Sequence, residues 1–129
     1  MAAINYQKQI IQTLKGETPE FADTTYERLD WSGVEAVLNL YGRTSGPDRD
    51  AMIQAMGRII EEAAQPPELL AQVLLIAASL DIAQIEPAVN KLAATALATE
   101  EPVKSAVMNY LAFRSIYTKV YESTLLAGV

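Results

Sequence analysis

The hydrophobic positions of residues 51–80 recur in residues 87–116, at an offset of 36 positions. The matching pairs are Met52 with Ala88, Ile53 with Val89, Met56 with Leu92, Ile60 with Ala96, Leu70 with Ala106, Leu74 with Tyr110 and Leu75 with Leu111. Pro66 and Pro102 also match, and each stands at a junction where proline favours the first turn of the next helix. A repeat of this length with two helices per unit is typical of a helical array.

Apolar residues three and four positions apart predict helices along the chain, and no segment shows the sustained alternation of a strand. The predicted helices cover about residues 4–14, 25–30, 33–41, 47 to the turn at 65–67, 69–80, 87–98 and 103–127, the last as one helix or as two with a bend near residue 115. We expect Gly16 and Gly42 to end helices, since glycine favours the left-handed conformation found there. Asp81 is expected to cap a short turn at 82–86.

We therefore predict an all-α fold, a short right-handed α-solenoid of about three helical hairpins with an N-terminal capping helix. Residues 1–129 make one helical-repeat domain in this interpretation, because 129 residues suit a single core. The residues expected at its centre are Tyr41, Met56, Ile60, Leu70, Leu74, Leu92, Val107 and Tyr110. In the last helix, Val103, Val107, Tyr110, Phe113, Tyr117, Val120 and Tyr121 are expected to share one stripe.

Residues 46–116 resemble a HEAT-type helical repeat. The residues that carry the resemblance are Ala88, Val89, Leu92, Ala96 and Leu97 on one helix, Glu101, Pro102 and Val103 at the turn, and Ala106, Val107, Tyr110 and Leu111 on the next helix. The Asp and Arg residues that HEAT repeats often carry on the second helix are missing here, although Lys104 stands near one basic position. The resemblance implies a curved scaffold that binds protein, and no active site carries over.

The charge of the chain narrows the choice of partners. The net charge is −6 and the pI is about 4.6, so the clustered Lys and Arg that neutralise phosphate are not available. We therefore expect no nucleic-acid partner and, for the same reason, no anionic membrane surface. No signal peptide or membrane-spanning stretch is apparent, and we expect a cytoplasmic protein.

The residue types that most often perform catalysis are missing. The chain has no histidine and no cysteine, which removes the commonest general base, the commonest metal ligand and every thiolate nucleophile. The adjacent pairs Glu61–Glu62 and Glu100–Glu101 diverge by about 100° on a helix and do not converge on one site. We therefore expect no enzyme activity, no cofactor and no metal site.

Residues 17–35 combine most of the negative charge with three aromatic residues, and we refer to them as the acidic segment. They hold six acidic residues against Arg28 alone, with Phe21, Tyr26 and Trp31 between them. Charge steers protein encounters and buried aromatic side chains anchor them. The residues predicted to bind a partner are Glu20, Asp23, Tyr26, Glu27, Asp30, Trp31 and Glu35. The alternative interpretation is a capping hairpin whose acidic residues face solvent.

These observations favour a non-catalytic protein–protein interaction module. The most specific hypothesis is a cytoplasmic immunity or inhibitor protein that neutralises a basic toxin such as a nuclease. One alternative is a structural or assembly protein that acts as a homo-oligomeric helical scaffold through its long C-terminal helix. Another is a small-ligand-binding helical protein or a carboxylate-based enzyme.

Overall fold

A computed structural model describes residues 5–15 and 33–127, with side chains described for residues 5–15 and 33–115. Every regular element in these ranges is helical, which confirms the all-α prediction. The elements are α1 (Tyr6–Leu14), α2 (Gly33–Arg43), α3 (Gly46–Glu62), α4 (Pro67–Ser79), α5 (Glu86–Ala93) and α6 (Val103–Ala127), with short 3-10 helices at Ala83–Ile85 and Ala96–Thr99 on either side of α5. The predicted terminator Gly16 and the helix predicted near 25–30 lie outside the described residues.

Local sequence signals explain most of the helix starts. The Asn5 side chain accepts a hydrogen bond of 3.1 Å from the Lys8 backbone N–H, which caps α1. Pro47 and Pro67 stand in the first turns of α3 and α4, where proline loses no helical hydrogen bond. The segment predicted as one long helix or two is the single helix α6.

Gly42 does not end α2, contrary to the prediction. The helix continues to Arg43 and is followed by Thr44, which bonds the Tyr41 carbonyl. The Thr44 backbone N–H donates to the Tyr41 carbonyl at 3.0 Å, and the Thr44 hydroxyl donates to the same oxygen at 2.7 Å. A threonine side chain therefore satisfies a carbonyl at the helix end, where a glycine terminator was predicted.

Asp81 belongs to the end of α4 and does not cap the following turn. Its φ of 52° is left-handed, its backbone N–H donates to the Ala78 carbonyl, and the Ile82 N–H donates to the Ala77 carbonyl. These two bonds define a Schellman motif, in which the left-handed position is most often glycine. The short turn predicted at 82–86 is confirmed as the 3-10 helix Ala83–Ile85.

The helix predicted over 87–98 is shorter than expected. It ends at Ala93, where the Thr95 hydroxyl donates to the Leu92 carbonyl at 2.7 Å and the Thr95 N–H donates to the same group at 3.0 Å. A hydroxyl that bonds nearby carbonyls competes with the helical ladder. The chain then forms the separate 3-10 helix Ala96–Thr99 before α6.

The helices pack in two series. Along one series α3 lies between α1 and α5, and along the other α4 lies between α2 and α6. The two series contact each other within the successive pairs α1–α2, α3–α4 and α5–α6. The contact between α4 and α6 is the most extensive of all, and α4 also touches α1, which places α4 at the centre of the molecule.

The buried residues form one apolar cluster that all six α-helices enter. Seven of the eight residues predicted at the centre are buried: Met56, Ile60, Leu70, Leu74, Leu92, Val107 and Tyr110. Tyr41 is only half-buried, and that prediction is wrong. Its ring packs against the edge of the core and lies beneath the Arg49 guanidinium, with 4.5 Å between the ring centroid and Cζ.

Candidate functional site

The predicted partner-binding residues lie mostly outside the described part of the chain. Six of them lie outside the described residues: Glu20, Asp23, Tyr26, Glu27, Asp30 and Trp31. Glu35 is described, and it is exposed in the first turn of α2. Their assignment as an interface therefore stays a prediction.

The end of α1 lies close to the start of α2, whose first residues belong to the acidic segment. A Cβ placed on Gly33, the first residue of α2, would stand 2.9 Å from the Thr13 carbonyl oxygen and 3.1 Å from Leu14 Cα. Only a residue without a side chain allows the start of α2 to approach the end of α1 so closely. The two helices thus bring Leu14 and Gly33 to the same side of the molecule.

An apolar groove runs between α4 and α6 and has a volume of about 350 Å³. Its floor and walls are formed by Ala71, Leu75, Ala78, Ser79, Ala106, Asn109 and Phe113. None of these side chains is charged, and most are small. We call this surface the α4–α6 groove.

Two large apolar side chains of the groove remain open to solvent. Leu75 is 54% exposed and Phe113 is 46% exposed, although both belong to helices that supply the core. Phe113 was predicted to share a stripe with Val107 and Tyr110. The structure corrects this, because each step of three residues shifts the position by about 60° in the same direction, so that Phe113 lies about 120° around the helix from Val107 and lines the groove.

A polar cluster next to the groove fixes the end of α4 against α6. Arg114 pairs with Asp81, and its Nε lies 4.0 Å from a Glu86 carboxylate oxygen. The Tyr110 hydroxyl donates to the Ile82 carbonyl at 2.5 Å. Burial raises the pKa of Tyr110 to about 12; Arg114 lowers it in part, and Glu86 and Asp81 raise it.

Asp81, just after the end of α4, meets Arg114, and Ala71, near the start of α4, lines the groove together with Ala106, so α4 and α6 run in the same direction. The end of α4 is therefore level with residues 110–114 of α6. The remaining residues 116–127 of α6 continue for about 18 Å past that level. We call them the α6 extension.

The adjacent carboxylates of Glu61 and Glu62 do not converge on one site. Glu61 pairs with Lys91 at 2.5 Å, and Glu62 accepts a hydrogen bond of 2.8 Å from Gln7. Within residues 5–15 and 33–115, no group of three or more acidic residues is arranged to hold a metal ion. The groove therefore offers packing for an apolar surface, with Ser79 and Asn109 as its polar groups.

Sequence reasoning missed the groove. A signal was present in α4, where Ala71, Leu75 and Ser79 follow one another at four-residue spacing along a single face. One alanine and one serine on either side of a leucine leave a shallow surface, but only the position of α6 shows that this surface is a groove.

Comparison of the chain with protein-family models, with curated proteins and with solved structures finds no match. Among the described helices, none combines the length and the apolar character needed to cross a membrane. The functional proposal below rests on the residues of this chain.

Proposed function

We propose that this chain is a non-catalytic protein–protein interaction module. The observation that carries the proposal is the uncharged α4–α6 groove, in which Leu75 and Phe113 each leave about half of their surface in water. Aromatic and aliphatic side chains grouped on an open surface are typical of sites that another protein covers.

We also propose that the helices form a short right-handed HEAT-like solenoid of about three hairpins. Two observations support this arrangement. The contacts follow the two series α1–α3–α5 and α2–α4–α6, and α4 and α6 begin at Pro67 and Val103, which differ by the same offset of 36 as the sequence repeat. Arrays of this kind present extended surfaces that bind other proteins.

The partner of the acidic segment is proposed to be a basic protein. Within residues 17–35 the acidic residues exceed the basic ones by five, out of a net charge of −6 for the chain. A surface of this charge increases the association rate of a cationic partner. The most specific form of the proposal is a cytoplasmic immunity or inhibitor protein that neutralises a basic toxin such as a nuclease.

Paired charge reversals test the acidic segment. Asp23→Lys with Glu27→Lys should slow association with a basic protein captured from the native host and flatten its salt dependence, because steering charges act over about 10 Å at 0.1 M salt. The matched control is Glu100→Lys with Glu101→Lys, which changes the net charge equally on exposed residues elsewhere. Equal slowing in both variants, measured by surface plasmon resonance, contradicts a local interface.

Trp31→Ala separates anchoring from steering. We expect it mainly to speed dissociation of the captured protein, with a loss that can exceed about 2 kcal/mol, because a buried aromatic anchor acts after encounter. Thermal unfolding of the variant is the control. If Trp31→Ala lowers the melting temperature sharply while the charge reversals leave binding unchanged, the acidic segment caps the core and the interface lies elsewhere.

A further inference from the structure

α6 has one face that is buried in the core and a second face that lines the groove, and together they indicate which molecule fills the groove. Val103, Val107 and Tyr110 are buried against the rest of the molecule. A second face, formed by Ala106, Asn109 and Phe113, lines the groove. A helix that is apolar on more than one face is typically covered on more than one side.

The groove face continues along the sequence of the α6 extension. Counted at about 100° per residue, the positions of Tyr117, Val120 and Thr124 fall within about 40° of Phe113 around the helix. Because α6 is one unbroken helix, its extension cannot fold back into the groove at residues 106–113 of the same chain. If the α6 extension occupies a groove, that groove must therefore belong to another molecule.

The charges favour a second copy of this chain over a basic partner at this surface. The lining of the groove carries no acidic residue that would attract a cation. The α6 extension contains only Lys119 and Glu122 as charged residues, so its net charge is zero. Two copies can thus meet here with no net charge on either of the contacting surfaces.

The α6 extension is long enough to fill the groove. The groove extends from Ala106 to Phe113, about 10 Å of helix, and the α6 extension is about 18 Å long. A two-fold axis near Ser115 would place the extension of each copy in the groove of the other. Both contacts would then form at once, since a two-fold interface uses the same patch on both copies.

We propose that the chain forms a homodimer in which the α6 extension of one copy packs antiparallel in the α4–α6 groove of its partner. This rests on the proposed function in treating the groove as a protein-binding surface. It goes beyond that proposal by naming the occupant.

The oligomeric state of the full chain tests the dimer. Light scattering after size exclusion, over a range of concentrations, should show a dimer for the unmodified chain. Leu75→Glu and Phe113→Glu should each raise the dimer dissociation constant by about tenfold or more, because each puts two charges into the contact. Both residues are exposed, so the fold should survive, which circular dichroism verifies. Met108→Glu is the control on the same helix, since Met108 is 59% exposed and does not line the groove.

Disulfide trapping gives the orientation, because the chain contains no cysteine of its own. Asn109→Cys and Val120→Cys chains, prepared separately with different tags and then mixed, should form a mixed disulfide in preference to either like pair. Within one chain these positions are about 16 Å apart along the helix, too far for a disulfide. A dimer that forms only like pairs overturns the antiparallel arrangement.

The proposal is wrong if the chain stays monomeric at every concentration. A monomer would also be observed if another part of the same chain covered the groove, and that case too contradicts the dimer. A dimer that resists both Leu75→Glu and Phe113→Glu also overturns the proposal. Failure of the dimer can be distinguished from failure of the proposed protein-binding function. If the unmodified chain is monomeric but Leu75→Glu abolishes binding of a captured protein, the groove binds protein and only the dimer is wrong.

Discussion

Leu74 is fully buried in α4, whereas its neighbour Leu75 is 54% exposed. Leu74→Ala should lower the free energy of unfolding by about 2–5 kcal/mol, because the lost side chain leaves a cavity in a close-packed core. Leu75→Ala removes the same atoms from the surface and should cost less than about 1 kcal/mol. Urea unfolding followed by circular dichroism measures both, and similar losses in the two variants would contradict the position of Leu74.

Tyr110 combines full burial with one hydrogen bond to the backbone. Its hydroxyl donates to the Ile82 carbonyl, just after the Schellman motif at the end of α4. Tyr110→Phe should lower the free energy of unfolding at pH 8 by about 1–3 kcal/mol, since it leaves that carbonyl without its donor. A neutral effect in urea unfolding would mean that water or another group replaces the hydroxyl.

The raised pKa of Tyr110 predicts a dependence on alkaline pH. Burial favours the neutral phenol in the folded state, so the pKa rises from 10.0 to about 12. The stability from this preference is complete below pH 10 and is lost as the pH rises towards 12. At pH 11 the advantage of the unmodified chain over Tyr110→Phe should have shrunk by about 1 kcal/mol. Comparing the free energies of unfolding of the two chains at each pH cancels the effect of the other titrating groups. A difference in free energy that stays constant from pH 9 to 11 would contradict the raised pKa of Tyr110.

At the scale of elements, glycines at the two ends of α2 have opposite roles. A Cβ at Gly33 would stand 2.9 Å from the Thr13 carbonyl oxygen, whereas a Cβ at Gly42 meets nothing within 4 Å. Gly33→Ala should therefore lower the free energy of unfolding by about 1–3 kcal/mol by forcing α2 away from α1. Gly42→Ala should raise it by about 0.5–1 kcal/mol, because alanine favours the helix.

Thermal unfolding of the two glycine variants compares the same chemical change in one helix. The expected result is a lower melting temperature for Gly33→Ala and an unchanged or higher one for Gly42→Ala. If both variants gain stability, the close approach of α1 and α2 does not depend on Gly33.

Helix starts followed the sequence more closely than helix ends. Pro47 opened α3 as predicted, because proline restricts the backbone of its own residue. Pro67, which was predicted to lie in the turn before the next helix, is the first residue of α4. The ends at Thr44 and Thr95 were missed, since each depends on a hydroxyl that competes locally for a carbonyl. Asp81 was predicted to cap the following turn, but it ends α4. The local sequence does not distinguish these two roles, because aspartate is found both at helix starts and in the left-handed conformation.

At the scale of the whole molecule, the central position of α4 predicts a gradient of local stability. Backbone amides of Val73, Leu74 and Ala77 should exchange with deuterium most slowly, because α4 is in contact with α1, α2, α3 and α6. The 3-10 helix Ala96–Thr99, which buries no residue, should exchange much faster. Hydrogen exchange measured by NMR tests this order, and equal protection in the two segments contradicts it.

The candidate sites show the limit of sequence reasoning about function. The acidic segment was found from charge and aromatic residues alone, and its role stays a prediction. The α4–α6 groove was not found, because Leu75 and Phe113 look like core residues in sequence and their exposure depends on where the two helices meet.

The sequence by itself determined the helical class, the start of most helices and seven of eight central residues, because these follow from apolar spacing and from the backbone limits of proline. Only the tertiary structure decided which apolar side chains stay at the surface. Burial depends on the neighbour that a side chain meets, and that neighbour is set by contacts between residues far apart in the chain. Phe113 illustrates this, since a rotation of about 60° from Tyr110 along one helix separates a buried ring from an exposed one.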